Sequence, residues 1–134
     1  MALELYVKKA GEGPPVLVLH GLFGAGGNLG ALSRSLQDTF TVYSIDLPNH
    51  GRSAWLTAPD LPAMADSLQQ WMGEQGIPSA HLLGHSLGGK VAMQLALQSP
   101  ASAASVIVAD ISPVTYSGRH DAVFAALEAV AAAR

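Results

Sequence analysis

Four short runs rich in apolar and β-branched residues, VLVL at 16–19, TVYSI at 41–45, AHLL at 80–83 and SVIVA at 105–109, alternate with stretches of helical spacing. Each run is bounded by Gly, Pro, Asp or His and reads as a buried strand. Between them, Leu29, Leu32 and Leu36 mark one helix, and Met64, Leu68, Trp71 and Met72 mark a second. The second opens near Pro62 and stops at Gly73 or Gly76, ahead of Pro78. A third helix follows Ser86, with Lys90, Gln94 and Gln98 recurring every four residues as its narrow polar stripe. Strands that alternate with helices in this way specify an α/β architecture: a mostly parallel sheet with right-handed crossovers and helices on both faces.

With 134 residues the chain has room for one such domain, spanning 1–134. A hydrophobic share of 49% against 13% charged residues is that of a globular core. Seven Lys and Arg against ten Asp and Glu leave a net charge of −3 without a basic cluster, so nucleic acid is excluded as a partner. Cysteine is absent, which rules out disulfides and thiolate metal sites and accords with the expected cytoplasmic location. Near the start, Leu3, Leu5 and Val7 alternate with other residues before Lys8 and Lys9, the reverse of signal-peptide order. The apolar runs fall well short of the roughly 18 residues of a membrane helix, so no membrane partner is expected.

In sheets of this kind ligands bind beyond the carboxyl ends of the strands. The residues to read are therefore 20–27, 46–53, 84–89 and 110–113. After the third strand run comes GHSLG, a GxSxG pattern at Gly84, Ser86 and Gly88 between a strand and a helix. A serine thrust outward by a sharp strand-to-helix turn needs neighbours two residues away that lack side chains. The helix that starts at Leu87 also aims its backbone N–H groups at charge developing beside that serine. The bland alternative is a Gly-rich turn that merely opens a helix. A second alternative is a P-loop, since Gly84, Gly89 and Lys90 spell GxxxxGK, but Val91 stands where Ser or Thr should hold magnesium.

After the first strand run, HGLFG occupies the position from which a second oxyanion N–H is taken, from Leu22 or Phe23, to pair with Leu87. Phe23 could also line an acyl pocket. His20 reads as a structural histidine bonded to nearby backbone. The glycines at 21, 24, 26, 27 and 30 hold no GxGxxG register for a dinucleotide.

Together HGLFG at 20–24, DLPNHGRS at 46–53, GHSLGGK at 84–90 and DISPV at 110–114 make the chain resemble an α/β-hydrolase, most of all the YbfF-type esterases. The resemblance runs over nearly the whole chain. It implies hydrolysis of an acyl ester or thioester, a small-molecule substrate, by a Ser, acid and His triad without a cofactor. Where the wider family often carries Arg and Gly, this sequence has Pro48 and Asn49, and His50 and Arg52 are taken as structural. Members run to about 250 residues. The chain thus corresponds to their amino-terminal half, a truncated α/β-hydrolase fold lacking the last strands and most of the cap. Residues from about 120 to 134 are then the start of a cap or lid helix.

The triad follows the chain order nucleophile, acid, histidine. Ser86 is the expected nucleophile. Asp110, directly after SVIVA, is either the acid or an Asp that caps the following turn. His120 falls in the right order but in the segment that leads into the cap, so the histidine is expected outside this chain and the chain alone should be nearly inert. His85 should point away from Ser86, and His81 reads as a satisfied core or interface histidine. SVIVA is apolar on both faces, as befits a central strand, yet here it would form an edge that invites self-association. Two other functions stay open: a non-catalytic binding module on the same fold, or a cofactor-free haloperoxidase-like enzyme that also uses Ser86.

Overall fold

The structure is a computed structural model that describes residues 4–21, 30–55 and 60–109. In chain order these form β1 (Val7–Ala10), β2 (Pro15–Leu19), α1 (Gly30–Leu36), β3 (Thr41–Ile45), α2 (Leu61–Glu74), β4 (Ala80–His85), α3 (Leu87–Gln98), a short 3₁₀ turn (Pro100–Ser102) and β5 (Ala103–Ala109). The five strands make one sheet in the order β1-β3-β2-β4-β5. β2 runs parallel to both β3 and β4, β4 runs parallel to β5, and β1 lies antiparallel on β3. This is the mostly parallel α/β sheet that the alternation of runs specifies.

Side-chain alternation along the strands divides the core into two layers. On one face Leu17, Leu19, Ile45 and Leu82 meet Leu68, Trp71 and Met72 of α2 and Val91 and Leu95 of α3. On the other, Val16, Val18 and Val42 pack with Leu36, Phe40 and Leu83. Each fully buried aliphatic side chain contributes about 1.5–3 kcal/mol relative to exposure. The first layer, much the larger of the two, therefore anchors the sheet.

Local chemistry explains the helix limits. Asp60 caps α2 by accepting the Ala63 N–H at 2.8 Å, and Pro62 sits in the first turn where its missing N–H costs nothing. At the other end Gly76, at φ +70°, lets the Ile77 N–H reach the Met72 carbonyl (2.9 Å) and the Gly76 N–H reach that of Gly73 (3.2 Å). That pair of bonds closes the helix and turns buried Ile77 back into the core.

Four features differ from the periodicity reading. The stretch around Val7, not among the four runs read as strands, pairs as an antiparallel strand on β3. Within α1 no residue is fully buried and Leu32 is exposed, so of the two described leucines only Leu36 reaches the core, against Val16, Val18 and Val42. Leu97 is 80% exposed on α3, which widens the exposed face beyond the Lys90, Gln94 and Gln98 stripe. β5 starts at Ala103 rather than at 105 and forms the sheet edge, with Val106 and Ile107 exposed. Residues from about 120 onward, expected to open a cap helix, lie outside the described residues.

Candidate active site

β4 ends at His85 and α3 starts at Leu87, so the whole reversal falls on one residue. Ser86 takes φ +54° and ψ −115°, a region that L-residues occupy only under strain, and only one other described non-glycine residue, Asn49, has positive φ. A serine that merely caps a helix has extended backbone and lets its oxygen accept from the first turn. Ser86 does neither: its side chain makes no capping hydrogen bond. Its backbone is held instead, with the N–H donated to the Ala109 carbonyl (3.0 Å) and its own carbonyl accepting from the Lys90 N–H (3.2 Å). The first-turn amides of α3, starting with Leu87, are left without intrahelical acceptors.

The flanking glycines permit this turn for steric reasons. A Cβ on Gly84 would lie 2.5 Å from the Gly89 nitrogen and collide with the Gly88 carbonyl, and one on Gly88 would collide with the Leu19 carbonyl. Position 21 is also crowded, because a Cβ there would lie 3.1 Å from His85 Nδ1 and 3.4 Å from Ser86 Cβ. The exit of β2 therefore lies against the turn between β4 and α3. Leu22 and Phe23, the expected oxyanion residues that follow, lie outside the described residues, as do Asp110 and His120.

His20 is fully buried, and both its nitrogens are engaged. The Leu47 N–H can only donate, so Nε2 accepts it at 2.8 Å, and Nδ1 then carries the proton donated to the Gly21 carbonyl at 2.7 Å. Burial holds its pKa below the ordinary value of 6.5, the nearby His50 adds to the lowering, and the Gly21 bond and Asp46 oppose it. The neutral ring thus ties the exit of β2 to the exit of β3. His50 lies 5.1 Å away between ring centroids, with its Nδ1 at 3.0 Å from the Pro48 carbonyl.

The loop after β3 is organised by a residue that the sequence reading left without a role. Asp46 is buried, its carboxylate accepts the Arg52 N–H at 2.9 Å, and its backbone carbonyl accepts a hydrogen bond from the Ser53 hydroxyl. Gly51, at φ +49°, fits under that carboxylate only because it has no side chain. The spacing of Asp46 and Gly51 was the available signal. Arg52 turns outward, its guanidinium 5.0 Å from the Tyr6 ring centroid, and His81 pairs with the Ser105 hydroxyl at 2.7 Å. Among the described residues no group of three His, Asp or Glu side chains could hold a metal ion, and no helix is long and apolar enough to cross a membrane.

The profile of the alpha/beta hydrolase fold family matches residues 14–128. Esterase YbfF of Escherichia coli is 39% identical over 117 residues, covering 87% of this chain and 46% of that protein. The mouse sn-1-specific diacylglycerol lipase ABHD11 is 40% identical over 121 residues, covering 87% of this chain and 39% of that protein. A solved marine microorganism esterase superposes with a TM-score of 0.89 at 39% identity, covering 95% of this chain and 51% of that one. The chain spans about half the length, or less, of these relatives. A profile match over most of its residues, on a sheet and strand-to-helix turn of this geometry, establishes that the chain belongs to the alpha/beta hydrolase fold family.

Proposed function

We propose that this chain supplies the amino-terminal part of a serine hydrolase that acts on acyl esters or thioesters, with Ser86 as nucleophile. The observation that carries this reading is the backbone of Ser86, strained at φ +54° between β4 and α3 with its hydroxyl uncommitted to capping. Strain at a position where a glycine would be comfortable marks a side chain required for something other than folding.

In the proposed reaction the Ser86 oxygen attacks the acyl carbonyl while its proton passes to a histidine. The tetrahedral oxyanion is held by the N–H of Leu87 and that of Leu22 or Phe23, and the alcohol or thiol leaves with the proton. Water then releases the acid from the acyl-serine by the same steps in reverse. Asp110 would orient the histidine. His20 is not that base, because both its nitrogens are spent on backbone groups. The base comes from outside the described residues, and relatives twice as long have the chain to supply it. The 134-residue chain alone would then be nearly inert; the substrate of the complete protein would be a small-molecule acyl ester or thioester, with no cofactor needed.

The test is hydrolysis of nitrophenyl esters by a protein that carries this segment together with the rest of the fold. In a serine protease, removing the nucleophile costs about a millionfold in turnover. Ser86→Ala should bring the rate close to background, and an unchanged rate would refute the assignment.

A further inference from the structure

We propose that the cleft between β1, α1 and β3 is an anion site that takes a phosphate group. The cleft has a volume of about 200 Å³, below the roughly 300–1,000 Å³ of drug-sized ligand sites and suited to a small group. It lies on the sheet face that carries Val42, opposite the large apolar layer.

Three elements bring donors to it. Lys8 of β1 is the cross-strand partner of Ser44 on β3, which puts both side chains on the same face of the sheet. Ser33 of α1 meets Ser44, oxygen to oxygen at 2.9 Å, and Arg34 and Gln37 complete the wall. Among the described residues no Asp or Glu lines the cleft. The hydroxyl pair is the informative part. Two hydroxyls carry two protons, and their mutual hydrogen bond uses one, leaving the other to be donated elsewhere. Ser44 is 7% exposed and stands in the layer where Val16, Val18 and Val42 are its neighbours, a place where an apolar residue would otherwise close the core.

Lys8, Arg34, Gln37 and the two serines line the cleft from three different elements, so an ammonium, a guanidinium, an amide and a hydroxyl are offered to its occupant. A carboxylate offers two coplanar oxygens, which the Arg34 fork alone would satisfy. A tetrahedral phosphate offers oxygens to all of them. Lys9 provides an internal contrast: on the opposite face of β1 its ammonium lies 5.7 Å from the Tyr43 ring centroid, away from the cleft.

Equilibrium dialysis of the full chain against radiolabelled inorganic phosphate at fixed ionic strength tests the site. One saturable site per chain is expected, displaced by a phosphate monoester and not by acetate at the same concentration. Lys8→Gln combined with Arg34→Gln should weaken binding at least tenfold, and Ser44→Ala should weaken it without any change of charge. Lys9→Gln should leave it within twofold. Co-sedimentation with phosphatidic acid vesicles that depends on Lys8 and Arg34 would identify the source of the phosphate as a lipid headgroup. Its absence alongside saturable dialysis would identify a free or soluble ester phosphate. Non-saturable binding, equal displacement by acetate, or equal losses in Lys9→Gln and the double variant would overturn the proposal.

Discussion

A Cβ on Gly88 would collide with the Leu19 carbonyl and lie 2.6 Å from that of His20, so α3 begins where it does only because position 88 carries no side chain. The obstacle is backbone at the end of a central strand, which cannot rotate aside. Gly88→Ala is therefore expected to destabilise the fold by about 1–3 kcal/mol or more, the range for overpacking a filled core. Urea denaturation of the variant beside Gly73→Ala, where nothing lies within 4 Å of the added carbon, is the measurement. Equal midpoints for the two variants would contradict the steric argument.

Ser86 should show the opposite sign. Relieving a strained φ recovers about 1–3 kcal/mol, and the extra freedom of glycine in the unfolded chain returns about 0.5–1 kcal/mol of it. Ser86→Gly should accordingly melt at a higher temperature than the parent while losing ester hydrolysis in the complete protein. A melting temperature that falls would show that the Ser86 side chain contributes to folding after all.

The buried His20 makes stability depend on pH in a direction that can be worked out. Its folded pKa lies below the ordinary 6.5, so the unfolded chain binds the proton more readily. The stabilisation is fully present above about pH 6.5 and is lost as pH falls from there through the folded value. Urea midpoints measured from pH 8 down to pH 5 should decline below about 6.5, and His20→Ala should flatten that part of the curve. His20→Ala should also cost about 1–3 kcal/mol at pH 8, because the Leu47 N–H loses its acceptor. A decline of the same steepness in the variant would assign the linkage to another group.

Val106 and Ile107 are exposed on the edge strand β5, one on each face of the sheet. The 134-residue chain on its own is therefore expected to self-associate along this edge, since unpaired strand groups beside apolar side chains template pairing. Sedimentation velocity should show mass that rises with concentration, and Ile107→Lys should shift it towards monomer. A monomer with a sharp melt independent of concentration would rule this out.

What the sequence made legible was set by contacts close along the chain. Pro62 and Gly76 mark the ends of α2 because a proline in the first turn and a positive φ at the close are local requirements, whereas the Asp60 cap came from the structure. Gly84 and Gly88 could be read as compulsory because a one-residue reversal at Ser86 needs room on both sides. The engagement of His20 was anticipated in kind, though not its partner, since Leu47 is 27 residues away. The antiparallel pairing of β1, the outward turn of Leu32 and the exposure of Leu97 all depend on which strand or helix lies alongside, and periodicity carries no such information. The Lys8 and Ser44 pairing belongs to the same class: a register fact that joins two unremarkable residues into one cleft.

The imidazole bridge between Gly21 and Leu47 also limits how this scaffold can diversify. With one ring stapling two strand exits, neither the Gly21 carbonyl nor the Leu47 amide can shift without dragging the other.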